Sequence, residues 1–597
     1  MSVARRKVRD QGKGVDAVSA ILLGGYPAKQ CARITHNKYS PTAPPPAPTP
    51  PELQALFDEG RVFETAVVDE FVSRFAGSGD LLVLDEDADW EATKRLTLDA
   101  LRAGVPIVVG GRLPDVNGRV GAPDVLIRHA DGYLPVDIKN HRTLNPSANP
   151  ESPRARSVVD VSALNTPDDR HTHRGYSNTA GHWRHDAMQL AHYTRMLQEL
   201  GLHPVSDPAL IGGIIGTSDL SALTGDELGI VWYDLALPAE STFSATEPGH
   251  RKRRSPLERY DHEFAFRLAV AEAARDGGEL VRPFRTNDCD SCEWFEYCAD
   301  VVGPDDASFA LAAGHLNVRE WLYLYGGSER FTVDDLARTD AATVIDGFRE
   351  QSVGTANPHK RLEDAIRRAR MTLAGIDFQP HGATWPEVPC ADIEVDFDIE
   401  WDTDGRIYQW GLRIREGQDD TTARYEPVVS FDVLDERAEE ALADVFAARL
   451  NALKDAARQE NKSIRVFHWH HVEVSLTRKF DAVAAALDGI TCDLLAWFNA
   501  NFFARQTASI KNVAPLFGFQ WDVDDAGGRV SQLKIAQARG AGPEAEDARR
   551  WCLLYNESDV AAQAAIRDGL RATGRAMTGC GPLVELSCRS ERGCYRS

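Results

Sequence analysis

The stretch GAPDVLIRHADGYLPVDIKNHR, Gly121–Arg142, decides how the first half of the chain is read. Asp124–Ile127 and Tyr133–Ile138 are short β-type runs, with Gly132 in the turn between them. A short turn makes such runs neighbouring antiparallel strands, so Asp124, which opens one, converges with Asp137 and Lys139, which close the other. Side chains alternate along a strand, which sets Asp137 and Lys139 on one face. Two hard carboxylates suit Mg2+, and a lysine beside them orients a water or stabilises developing charge. A D-x-K pair taken alone reads as an ordinary surface ion pair, so the rest of the chain has to carry the argument.

Outward from that stretch, Pro51–Phe75 reads as an amphipathic helix, with Leu53, Leu56, Phe63, Val67 and Phe71 near helical spacing. It carries Glu64 as a further carboxylate. Strand-like runs stand at Leu81–Leu84 and Val105–Val109, and the polar segment Asn140–His182 reads as a loop. A helix is expected at Asp186–Leu200, where Gln189 and Tyr193, four apart, share a face. Further runs at Leu210–Ile215 and Gly229–Tyr233 complete an α/β pattern. The sequence RHTHRGYSNTAGHWRH, Arg170–His185, mixes rings and cations as a single-strand channel does, and as a solvated loop also does.

From about Val301 to Trp385 the pattern becomes helices with Gly-containing turns, and a second α/β pattern starts near Pro386. Its expected strands are Ala391–Ile399, Ile407–Arg413, Val428–Phe431 and Ile464–His468, with helices to about Ala572. Met577–Ser597 has no periodicity and reads as a tail; its Cys580, Cys588 and Cys594 have no site-like spacing. The organisation expected is a segment over 1–50 with a Pro-rich linker, a domain over 51–300, a helical connector over 301–385, a domain over 386–575 and a tail over 576–597.

A chain of 597 residues exceeds what one hydrophobic core fills. A net charge of −23 weighs against a protein that coats nucleic acid through its overall field, but not against a nuclease with a local basic channel. No GxxxxGK[ST] loop is present, so an ATP-driven motor is expected to be a separate helicase partner. No apolar run reaches the roughly 18–20 residues of a membrane span, and no targeting segment is read, so a cytoplasmic location is expected. Ten cysteines are too sparse for a disulfide scaffold. Three of them, Cys289, Cys292 and Cys298, fall within ten residues in a polar context, and Cys31 stands alone upstream. Four thiolates of this kind suit an iron–sulfur cluster or, as the alternative, zinc.

In the second pattern, Asp392, Glu394, Asp396, Asp398 and Glu400 alternate with Ile393, Val395, Phe397 and Ile399. One face of that strand is acidic and the other apolar, an arrangement expected only at a sheet edge or a metal site. Downstream stand FHWHHVE with Glu473, CDLL with Asp493, SIKNVAPLFGF over Ser509–Phe519, and YNESDV with Tyr555 and Asp559.

These features together resemble two known families. Glu64, the G-x-x-D ending at Asp124, the D-x-K of Asp137 and Lys139, and the Q-x-x-x-Y of Gln189 and Tyr193 resemble the RecB-type branch of the PD-(D/E)xK nucleases. That resemblance implies a restriction-endonuclease-like core with Glu64, Asp124, Asp137 and Lys139 at the metal and the reaction, and Gln189 and Tyr193 on the helix facing DNA. Glu64 stands where a histidine is often found. Cys31 with the C-x2-C-x5-C triplet resembles that family's iron–sulfur variant, which implies a structural [4Fe–4S] cluster on Cys31, Cys289, Cys292 and Cys298. The second pattern resembles the DEDD-type exonucleases of the RNase H-like superfamily. That implies metal ligands at Asp398, Glu400 and Asp559, a middle acid at Glu473 or Asp493, and Tyr555 beside the reaction. The layout as a whole resembles a bacterial family of two-domain RecB-like nucleases. The expected function is a Mg2+- or Mn2+-dependent nuclease on DNA, single-stranded substrate included, with exonuclease character, in repair, recombination or defence. The alternatives are an RNA-directed 3′–5′ exonuclease using the second domain, and a non-catalytic nucleic-acid-binding adaptor for a helicase.

Overall fold

The computed structural model describes residues 20–85, 88–146, 157–524 and 527–578. The tail cysteines lie outside the described residues. Two units emerge: 1–302 with 349–356, and 303–348 with 357–597.

The first unit is built on an eight-stranded mixed sheet. Its strands are β1 (Leu81–Val83), β2 (Ile107–Val109), β3 (Val125–His129), β4 (Gly132–Ile138), β5 (Val158–Ala163), β6 (His171–Arg174), β7 (Ile211–Ile215) and β8 (Gly229–Asp234). They lie in the order β1-β2-β3-β4-β7-β8-β5-β6. Helices α1 (Pro51–Phe75), α2 (Ala180–Glu199) and α3 (Pro256–Arg275) pack around it. Alternation sorts the strand residues: Val125, Ile127, Val136 and Ile138 join Val67 and Phe71 of α1 in one core, while Leu126 joins Met196 and Leu197 of α2 in another. Asp137 therefore lies on the α2 side.

Two expectations are corrected here. Asn140–His182 is not a plain loop: β5 and β6 extend the sheet beyond β8, and the short strands Leu144–Pro146 and Tyr176–Asn178 pair with each other. The strand state of His171–Arg174 comes from its ladder to β5, because its side chains are nearly all exposed and carry no apolar alternation. The helix expected at Asp186 starts earlier, at Ala180.

The second unit opens with short helices, including Val318–Tyr325 and Val333–Arg338, and the longer α4 (Pro358–Ala374). A five-stranded mixed sheet follows: β9 (Ile393–Trp401), β10 (Ile407–Glu416), β11 (Asp419–Val429), β12 (Ile464–His468) and β13 (Thr491–Asp493), in the order β11-β10-β9-β12-β13. β9 pairs antiparallel with β10 and parallel with β12. The third strand begins at Asp419, not Val428, because Gly417 at φ 53° closes a hairpin that extends it. Helix α5 (Glu436–Gln459) packs Phe446, Ala447 and Leu450 onto Val395, Phe397 and Ile399. The other face of β9 is met by the 36-residue helix α7 (Pro543–Thr578), and a shorter helix α6 (Gly528–Ala538) precedes it. The acidic strand is thus the middle strand of its sheet and not an edge. No helix among the described residues is long and apolar enough to cross a membrane.

Candidate active site

The acidic face of β9 divides into two halves. Glu394 lies within 2.6 Å of Arg415 and of Arg571 and 3.0 Å from Arg567, and Asp396 pairs with Arg567. Among the described residues, Asp398 and Glu400 meet no arginine. Asn556 of α7 donates to Asp398 at 2.8 Å, and Ser531 of α6 donates to Glu400 at 2.6 Å. Register across β10 follows the same division: Arg415 and Arg413 stand opposite Glu394 and Asp396, and Gly411 and Gln409 stand opposite Asp398 and Glu400. Gly411 is required there, because a Cβ would come 1.8 Å from the Asn556 side-chain oxygen.

Asp559, from α7, completes the site. One oxygen from each of Asp398, Glu400 and Asp559 lies within 4.8 Å of the others, the one such set among the described residues. Lys511 reaches Asp559 Oδ1 at 2.5 Å, and the Trp521 indole donates to the same oxygen at 2.6 Å. The Lys511 ammonium sits 4.1 Å from the centre of the Trp521 ring and 4.5 Å from that of Tyr555. Burial holds Asp398 well above the carboxylate range, and the charges of Glu400, Asp559 and Glu473 add to it. Burial, then Asp559, push Glu400 up to about 8. Carboxylates packed this way repel one another and lose hydration, a situation that a divalent cation relieves.

Glu473, on the short helix His471–Thr477, has its carboxyl pushed up to about 8, by burial and then by Asp493 and Asp559. Its buried Oε2 has no hydrogen-bond partner. Asp493 is engaged otherwise: it caps the helix Leu494–Asn501, accepting from the Ala496 amide at 2.7 Å. Tyr555 is buried, and its hydroxyl is held in the neutral form by burial and then by Asp559, Glu400 and Asp398.

In the first unit, continuing the β3–β4 register by one residue sets Asp124 opposite Asp137. Asp124 accepts from the Ile138 amide at 2.7 Å. Asp137 is fully buried, and Lys139 Nζ lies 2.8 Å from it as an ion pair, although neither oxygen gains a directed hydrogen bond. Burial and then Asp137 hold Asp124 well above the carboxylate range, with Glu64 contributing from α1. From α2, Gln189 donates to the Tyr193 hydroxyl at 3.0 Å and accepts from Lys29 at 2.8 Å. Tyr26, Lys29 and Asp186 join this constellation, and motif reading did not single them out. Lys29 falls to about 8 through burial and then the neighbouring Lys139 charge. In the segment proposed as a channel, His182 stacks on His141 with ring centres 3.9 Å apart.

Among the described residues no three cysteines form a metal-sized set. Burial raises the thiols of Cys31, Cys292 and Cys298, and neighbouring cysteines add to the rise. Asn37 donates to the Cys298 sulfur at 3.6 Å. The residues missed in the second unit, Lys511 and Asn556, lie inside the SIKNVAPLFGF and YNESDV segments, and Ser531 and Trp521 gave no signal.

Residues 395–571 match the family model of the RNase_H superfamily, and they form an RNase H-like domain that carries the Asp398, Glu400 and Asp559 triad. No curated protein and no solved structure matches the chain.

Proposed function

We propose that the chain is a nuclease, a phosphodiester hydrolase that binds nucleic acid and works at the triad of its RNase H-like domain. The carrying observation is that Asp398, Glu400 and Asp559 share one small space with no arginine among the described residues, while the other two acids of β9, Glu394 and Asp396, are paired with arginines. Asp398, Glu400 and Asp559 would hold Mg2+ or Mn2+, oxygen-preferring ions. Such an ion supplies Lewis-acid polarisation of the phosphoryl oxygen and a more acidic water. The protein's own groups then divide the work. Tyr555, kept neutral, is a donor that orients the attacking water, and Glu473, near 8 with an unpartnered oxygen, takes its proton. The water oxygen bonds to phosphorus as its proton passes to the ionised form of Glu473, the bond from phosphorus to the leaving oxygen breaks, and that oxygen takes a proton from solvent. The test is hydrolysis of labelled single- and double-stranded DNA and RNA with Mg2+ or Mn2+, comparing wild type with Asp398→Asn. Loss in the variant is expected, and full retention with Asp137→Asn also in place overturns the reading.

A second reading concerns the first unit, as a RecB-like PD-(D/E)xK site acting on DNA. It is favoured by a fully buried Asp137 whose oxygens lack hydrogen-bond partners, beside Lys139 and opposite Asp124. There Asp124, Asp137 and Glu64 would hold the ion, and Gln189 and Tyr193 would face the strand. DNA cutting that survives Asp398→Asn and ends with Asp137→Ala supports it. Binding without metal-dependent hydrolysis favours instead the adaptor for a separate helicase. We also propose that Cys31, Cys289, Cys292 and Cys298 ligate a [4Fe–4S] cluster, whose corner thiolates stand farther apart than those on one zinc ion. Iron and sulfide in wild type, lost in Cys292→Ala, is the expected result, and zinc alone sinks it.

A further inference from the structure

We propose that Lys511 is a phosphate-binding residue of the RNase H-like site, making the direct cationic contact to the nucleic-acid phosphate that the metal ligands address. The inference rests on the reading of that site as a nuclease centre. A pocket of Asp398, Glu400, Asp559 and Glu473 repels a polyanion, and a phosphate needs cations on the wall it approaches. Lys511 is a positive charge that opposes the raised carboxyls of both Asp398 and Glu400.

Its placement fits a contact residue better than a strut. The ammonium touches Asp559 at 2.5 Å, yet the lysine side chain keeps 30% of its exposure against 10% for Asp559. Asp559 Oδ1 is already held by the Trp521 indole at 2.6 Å, so the lysine is not needed merely to aim that carboxylate. The rings of Trp521 and Tyr555 pin the ammonium by cation–π contact without using its hydrogens. An ammonium has three donors, and one goes to Asp559, so others remain for a phosphate oxygen. The segment is fixed locally as well: Lys511 lies in the helix Ile510–Val513, whose Val513 is buried in the core with Leu494 and Phe498.

The test uses the full chain carrying Asp137→Asn, so that the first unit's carboxylates do not contribute. Two quantities are measured: Mn2+ affinity by electron paramagnetic resonance, and Mn2+-dependent binding of adenosine 5′-monophosphate, with adenosine as control, by equilibrium dialysis. In Lys511→Met, monophosphate binding is expected to weaken about tenfold, adenosine binding to stay, and Mn2+ affinity to stay within about threefold, as loss of one charge-assisted contact implies. Lys511→Arg is expected to restore monophosphate binding to within about threefold, because it keeps the charge. Unchanged monophosphate binding in Lys511→Met overturns the proposal. So does loss of Mn2+ in that variant, which would make the lysine only a holder of Asp559. Should Asp398→Asn leave both Mn2+ and monophosphate binding intact, the nuclease centre itself is misplaced, and the inference falls with it.

Discussion

Glu394 and Asp396 sit on the same strand, the same face and under the same helix as Asp398 and Glu400, yet the two halves do opposite things. Helix α7 lowers Arg571 and Arg567 onto the first half and Asn556 and Asp559 onto the second. Strand β10 repeats the choice with Arg415 and Arg413 against Gly411 and Gln409. Burial pushes Glu394 up, but Arg567, Arg571 and Arg415 outweigh it and leave it below its ordinary value, whereas at Asp396 burial outweighs Arg567 and leaves the carboxyl raised; Glu400, with no arginine, rises to about 8. An acidic strand face is therefore not a site in itself. The site is the part from which the fold withholds arginines.

The largest effects separate the halves by readout. Asp398→Asn or Glu400→Gln is expected to cut metal-dependent hydrolysis by this domain roughly a thousandfold, about 4 kcal/mol of barrier, without lowering the melting temperature of metal-free protein. Arg567→Met should do the reverse, destabilising the domain by about 3–5 kcal/mol because it leaves Glu394 and Asp396 buried with less compensation. Chemical denaturation and initial rates on the same preparations check both. A stable Arg567→Met protein, or an Asp398→Asn protein that melts early, would erase the distinction.

How much of this the sequence carries depends on the range of the signal. Alternation along Ile393–Glu400 gives the two faces of β9, and the one-turn spacing of Tyr555 and Asp559 gives one face of α7, because both are local periodicities. The neutralising arginines are not legible in that way: Arg567 lies 171 residues from Asp396, and nothing nearby marks it. The sheet edge at His171–Arg174 fails for another reason, since its strand state is a backbone property with no apolar pattern to report it. Between Glu473 and Asp493, spacing left the middle acid open. Their surroundings differ: Glu473 has a buried oxygen without a hydrogen-bond partner, and Asp493 caps a helix.

A smaller effect tests the scaffold of the uncharged half. In Gly411→Ala the new methyl falls 1.8 Å from the Asn556 side-chain oxygen, which also accepts from Tyr425 at 2.8 Å. Asn556 must swing away, releasing its hydrogen bond to Asp398. The expected cost is about 1–3 kcal/mol of stability, with weaker Mn2+ binding. Gly405→Ala, at a turn glycine whose Cβ meets nothing within 4 Å, is the control for backbone strain alone, because its φ is 74°. Equal effects on Mn2+ binding from the two variants would count against the Asn556 contact.

The smallest effect, and the sharpest in sign, is the pH dependence of metal-free protein. Glu400 titrates near 8 when folded and near 4.3 when unfolded. Between those values the folded chain keeps a proton that the unfolded chain has released, so the stability contributed by this group falls as pH rises and levels off above about 8. Glu394 has the opposite sign: its folded value is lowered, so its contribution is present above the unfolded value and is lost on acidification. The slope from Glu400 approaches about 1 kcal/mol per pH unit around neutrality, and the measurable quantity is the difference in unfolding free energy between wild type and Glu400→Gln. That difference should move in favour of the variant from pH 5.5 to 8, over roughly the window those two titrations bound. Saturating Mn2+ should remove the trend, because an ion on Asp398, Glu400 and Asp559 replaces the proton as the charge that lets them coexist. A difference that is flat with pH in the absence of metal would mean that Glu400 is already ionised and neutralised by a cation, and that the two halves of the strand are electrostatically alike.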